Sequence, residues 1–197
     1  HEDWNGANDL AVIKFARKIN LDYAVFGSIC LPEKQPFDQI ANHECVTTGW
    51  GLTNPSLSSV SEVLQKAHSL IYPQSDCVRQ HSAFITSGML CWGSGRTETC
   101  HGDSGGPLAC VVNGKWFQYG IDSWVFSNKF PFNATNSCEN DVFTRVSEVS
   151  DWVWKTIKED SCLFNKIKEV ICNVVNCILH LFVVILKNRY NNDIFIF

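Results

Sequence analysis

Residues 100–108 read Cys-His-Gly-Asp-Ser-Gly-Gly-Pro-Leu, a single serine among glycines with an acid immediately before it. Glycines permit a tight turn in which successive backbone N–H groups converge on one point, the arrangement an oxyanion hole requires. Ser104 is therefore the candidate nucleophile, with the N–H groups of Gly102 and Ser104 as candidate oxyanion donors. The bland reading of such a motif is a glycine-rich surface turn with a polar tip. The rest of the chain has to decide between the two.

A loop of this kind needs a rigid scaffold, and the pattern up to about residue 145 supplies strands rather than helices. Short apolar runs alternate with Gly, Pro, Asn and Ser, as in a barrel or sandwich. Strands are expected over 10–15, 44–50, 63–71, 107–112, 115–124 and 142–146. Asn113-Gly114 between two of them is a hairpin signal, because both turn positions need positive φ. Helical spacing begins at 149–158, with Val149, Trp152, Val153 and Ile157 on one face. Residues 170–186 are mostly apolar, somewhat short of the roughly 20 residues that span a bilayer as a helix. Lys166, Glu169, Asn173, Asn176, His180 and Lys187 step by three, four or seven and mark one polar stripe. Such a helix either docks on a surface or anchors the chain, and a tail foreign to the domain is the third reading.

The chain has 197 residues, 45% of them hydrophobic, enough to build a core and to exclude general disorder. Its net charge of -4, with 16 basic residues thinly spread, argues against a nucleic-acid or anionic-membrane surface. Ten cysteines without a C-x-x-C pair disfavour zinc and favour disulfides in an oxidising compartment. No metal or cofactor is expected. The chain opens on His1 without an apolar leader, so any targeting signal would lie upstream of it.

Taken together, these landmarks resemble the trypsin/chymotrypsin family of serine endopeptidases, over residues 1 to about 158. Gly102-Asp103-Ser104-Gly105-Gly106-Pro107-Leu108 is similar to that family's most specific signature. The segment Asn8-Asp9-Leu10-Ala11-Val12-Ile13-Lys14 resembles the one that carries the triad aspartate, here Asp9. Ile29-Cys30-Leu31-Pro32, Thr48-Gly49-Trp50-Gly51, Ser123-Trp124 and Val142-Phe143-Thr144-Arg145-Val146 follow in the family's order. The resemblance implies an all-β, chymotrypsin-like double β-barrel followed by a C-terminal helix, here with the first barrel largely missing and an apolar helical tail added. Residues 1–38 would be the remnant of the first barrel, 39–160 the second barrel with its helix, and 161–197 the tail. An α/β-hydrolase elbow also carries Gly-x-Ser-x-Gly, but its acid and histidine follow the serine. Only His180, in the tail, follows Ser104, and that fold is rejected.

The resemblance also shows what is absent. A serine nucleophile needs a base, and the family places its histidine well before the aspartate in a small-residue segment that has no counterpart here. His1 looks like a surface residue of the loop before Asp9, while His43, His68 and His81 sit where a solvated histidine is the default. His101 would line the mouth of the substrate pocket. Asp103 would lack the N-terminal cation that pairs with it in the family, leaving the oxyanion loop loose. The expected function is serine endopeptidase, inactive as this fragment. A non-catalytic homologue kept for binding is the alternative.

By the same resemblance, Cys45–Cys110, Cys77–Cys91 and Cys100–Cys138 pair, and Cys30 would join an upstream propeptide. Cys162, Cys172 and Cys177 have no counterpart. Glu98 would stand at the base of the specificity pocket and Asp141 in its wall, favouring protein or peptide substrates cut after Arg or Lys. The competing reading makes both acids solvated loop residues. Ser123 and Trp124 would pair with substrate backbone, and Val125 would narrow the entrance. Asn133-Ala134-Thr135 is an N-glycosylation sequon, fitting a secreted protein; membrane tethering through 170–186 is the alternative localisation.

Overall fold

The computed structural model describes residues 8–13, 28–36, 39–54, 59–81, 85–93, 99–126, 138–159 and 184–185. Its elements run β1 Ala11–Val12, β2 Glu44–Gly49, β3 Gln65–Ile71, α1 Gln74–His81, β4 Met89–Gly93, β5 Pro107–Val112, β6 Lys115–Phe126, β7 Glu139–Arg145, α2 Val146–Glu159 and β8 Val184–Ile185. Six strands close into an antiparallel barrel in the order β2-β3-β4-β7-β6-β5. The turn from β5 to β6 is made by Asn113 and Gly114, with φ of 51° and 73°, the positive pair that a two-residue hairpin needs.

Closure turns the alternating residues of every strand into one interior. Ile71, Leu90, Trp92, Leu108, Tyr119 and Phe143 fill it together with the Cys45–Cys110 disulfide. Trp92 and Phe143 meet edge to face, their ring centroids 6.1 Å apart, a favoured arrangement of two aromatic quadrupoles. Cys45 and Cys110 are direct cross-strand partners of β2 and β5. Cys77–Cys91 and Cys100–Cys138 are bonded as well.

Several elements differ from the sequence expectation. The strand expected from residue 63 begins at Gln65, because Val63 and Leu64 lie exposed beside it. β4 was not expected at all, since five consecutive buried residues have no alternation to detect. Nor was α1, a short helix whose residues are mostly polar. The last strand lies earlier, over Glu139–Arg145, and Val146 opens the helix. Val146, Val149, Val153 and Ile157 are its buried apolar residues, while Trp152 is 48% exposed. A face built on 146, 149, 153 and 157 leaves Trp152 turned to solvent.

The chain before the barrel packs on that helix: Leu10, Val12 and Leu31 lie against Val149, Val153 and Ile157. Cys30 bridges to β6 through Cys30 N–H to Trp116 O (3.0 Å) and Gln118 N–H to Cys30 O (2.9 Å). It is itself disulfide-bonded. Val184 and Ile185 pair with Val12 and Ala11 as a strand, where the sequence pattern suggested a helix. β-branched residues suit an extended edge, and β1 stands outside the barrel with backbone groups to satisfy. Among the described residues no helix is long and apolar enough to cross a membrane.

Phe143→Ala removes a fully buried ring from the centre of the barrel. It is expected to lower unfolding free energy by about 3–5 kcal/mol, measured by urea denaturation with the disulfides intact.

Candidate active site

The serine loop, residues 99–106, is tied to the barrel by its backbone. Asp103 N–H bonds Cys100 O (3.0 Å) and Gly106 N–H bonds Asp103 O (2.8 Å). Gly105 N–H donates to Asp122 O (2.8 Å), and Asp122 N–H donates to Gly106 O (2.9 Å). The N–H groups of Gly102 and Ser104 make no hydrogen bond to any described residue. These two free donors are the ones an oxyanion hole at Ser104 would use. Gly102 has φ of 101°, and a Cβ there would stand 3.0 Å from the Gly51 Cα. Only glycine fits both constraints.

Asp103 points away from this opening into a niche beneath β2. Its Oδ1 accepts Gly51 N–H at 2.7 Å and its Oδ2 accepts Cys100 N–H at 2.9 Å. A Cβ on Gly49 or Gly51 would collide with the carboxylate, which explains glycine on both sides of Trp50. The loop was expected to be loose for want of a cation at Asp103; among the described residues two backbone donors hold its carboxylate instead. Burial raises its pKa and outweighs the lowering by the Cys100 and Gly51 N–H groups.

Asp9 reaches the same end of the barrel from far away in sequence. Ser123 Oγ donates to Asp9 Oδ2 at 2.8 Å, and Thr144 Oγ1 donates to the Asp9 carbonyl at 2.9 Å. β6 and β7 together therefore fix both the side chain and the backbone of this residue. Burial raises the Asp9 pKa against the favourable Ser123 bond.

Behind the loop lie two further acids. Asp141, on β7, is wholly buried and accepts Thr99 N–H at 2.5 Å, so it is a barrel residue and not a solvated loop. Asp122, 3% exposed on β6, is a residue the sequence reading passed over. An acid inside the apolar run Gly120-Ile121-Asp122-Ser123-Trp124 was the available signal. Burial pushes its pKa up to about 7, the nearby Thr99 hydroxyl lowers it, the Asp103 charge raises it again, and the Ser123 N–H lowers it.

Trp124 packs beside Met89, Val142 and the Cys77–Cys91 disulfide. Val125 pairs with Asp141 across β6 and β7. His101 is exposed, and its carbonyl accepts Leu52 N–H at 2.9 Å. Glu98 and Asn133 lie outside the described residues, as do His1, Cys162, Cys172 and Cys177. His68 stands 3.7 Å from Glu44 on the outside of the barrel. Among the described residues no histidine side chain bonds Ser104.

A closed six-stranded antiparallel barrel with a C-terminal helix, carrying a half-buried aspartate just before a serine between glycines, defines the architecture of one class of serine protease domain. The Trypsin family model matches residues 1–153, and the chain belongs to that family.

Asp9, Asp103 and Asp122 all have folded-state pKa values above the ordinary carboxylate value of 3.8. The folded protein therefore holds protons that the unfolded chain releases, and stability falls as pH rises from the unfolded value through the folded ones. Asp122→Asn is expected to flatten much of this slope between about pH 4 and 7. It should leave the variant more stable than the parent at pH 8. Urea denaturation across that range checks both expectations.

Proposed function

We propose that the protein is a serine endopeptidase working through an acyl-enzyme, with Ser104 as nucleophile and Asp9 as the acid that orients a histidine base. The N–H groups of Gly102 and Ser104 would receive the oxyanion. One observation carries this reading: Ser123 hydrogen-bonds Asp9 while the preceding residue, Asp122, holds the serine loop by its backbone. Two residues 95 positions apart are thereby set on the same strand of the same barrel. A surface turn with a polar tip has no need of either contact.

The substrate is proposed to be a protein or peptide cut after Arg or Lys, with Glu98 and Asp141 facing the cationic side chain. Ser123 and Trp124 would pair with the substrate backbone, Val125 would bound the entrance and His101 its mouth. An Arg or Lys entering there gains charge-assisted hydrogen bonds. Residues 1–38, 39–160 and 161–197 are kept as the proposed divisions of the chain. A secreted location, glycosylation at Asn133 and membrane contact through 170–186 stand as proposals beside them, supported respectively by the disulfides, the sequon and the apolar tail.

A second reading is favoured by the absence, among the described residues, of a histidine bonded to Ser104. This polypeptide by itself is then a binding module without turnover. Hydrolysis of small arginine and lysine esters by the refolded chain separates the two. Turnover no faster than that of Ser104→Ala supports the inactive form, because the base step is lost. Turnover at ordinary protease rates, abolished by Ser104→Ala, would place a base within these 197 residues.

A further inference from the structure

Two observations place the far end of the chain on the segment that carries Asp9. The first is a strand pair. β1, which follows Asp9 and Leu10, lies outside the closed barrel, and its strand partner is β8. The register is antiparallel, with Ala11 opposite Ile185 and Val12 opposite Val184. A strand at an edge presents N–H and C=O groups that need partners, and β8 supplies them. Both residues of β8 are β-branched, the type that favours an extended backbone.

The second is the disulfide at Cys30. The chain has ten cysteines, and the seven among the described residues are all disulfide-bonded. Six of them pair with one another, as Cys45–Cys110, Cys77–Cys91 and Cys100–Cys138. Cys30 is the seventh. What remains for it in the sequence is Cys162, Cys172 and Cys177, all of which follow α2. The route is short. Ile157, in the last turn of α2, belongs to the cluster against which Leu10, Val12 and Leu31 pack, and Leu31 is the neighbour of Cys30. The chain therefore leaves the helix at Glu159 beside the residues to which β8 returns. An extended chain covers about 10 Å from Glu159 to Cys162.

We infer that the C-terminal tail is the docking partner of the Asp9 segment within the same chain, paired to β1 through β8 and bonded to Cys30 through Cys162, Cys172 or Cys177. The inference does not rest on the peptidase reading. In forming the bond, two thiols give up two protons and two electrons to a disulfide oxidant such as oxidised glutathione, which leaves as two thiols. The segment is then held from two sides. Ser123 and Thr144 bond Asp9 from the barrel, and β8 fixes the strand that follows it.

The test uses the whole chain, refolded in a glutathione redox buffer. Peptide mapping without reduction should join Cys30 to one of Cys162, Cys172 and Cys177 in a monomeric product. Amide hydrogen exchange should be slowed at Ala11 or Val12, whichever donates to β8. Val184→Pro together with Ile185→Pro removes the N–H groups of β8. The pair of substitutions should speed that exchange about tenfold, while the amides of β5 and β6 keep their protection. Adding phosphatidylcholine vesicles should leave the protection at β1 intact. Cys30 found as a free thiol, or joined only to a second copy of the chain, would overturn the inference. Exchange at Ala11 and Val12 as fast as in an unfolded peptide would overturn it, as would protection there that the two prolines leave unchanged. Protection lost on adding vesicles would assign the tail to a bilayer and overturn it too. None of these readouts involves turnover, so the outcome is separate from that of ester hydrolysis.

Discussion

The peptide units of Asp122 bond Gly105 and Gly106, and the next side chain along β6, Ser123, bonds Asp9. Both halves of the candidate machinery therefore hang on two consecutive residues of one strand. β6 can bear this because it is the longest strand of the barrel, 12 residues, paired with β5 on one edge and β7 on the other. Irregular register at Leu108/Ala109 and at Asp122/Trp124 accompanies the place where the serine loop docks. Such shifts re-aim side chains at the end of a barrel without breaking its closure.

The cost of this arrangement is electrostatic. Asp122 is buried and Asp9 and Asp103 are half-buried around the same end of the barrel, and each is held above its ordinary pKa chiefly by loss of water. Backbone N–H groups and the Ser123 hydroxyl compensate only in part. Concentrated acid near the serine loop works against the stability of the fold. The barrel offsets it with an apolar interior and with disulfides, among them Cys45–Cys110, which ties the paired strands β2 and β5.

Arg145 shows how the helix end is joined to the same frame. Its buried side chain gathers Ser147, Glu148 and the carbonyls of Ser87 and Gln35. Glu148 lies in the first turn of α2, where a negative charge is favoured by the helix dipole. The segment around residue 35, the β4 approach and α2 thus converge on one cation. Burial lowers the Arg145 pKa and Glu148 raises it in compensation.

The serine motif, the aspartate segment, the hairpin at Asn113-Gly114 and the general β character were legible in the sequence because each depends on local residue types. Glycine spacing, turn chemistry and apolar periodicity act over a few residues and leave their mark there. Cys45–Cys110, Cys77–Cys91 and Cys100–Cys138 could be named only through resemblance, since spacing alone leaves connectivity open. β4 stayed hidden because a strand buried on both faces loses its alternation. Asp122 went unread because its burial, and its nearness to Asp103, arise only when the barrel closes. Asp141 had two readings until β7 carried it inside. Burial and partnership across strands are properties of the closed barrel, and no single stretch of sequence contains them.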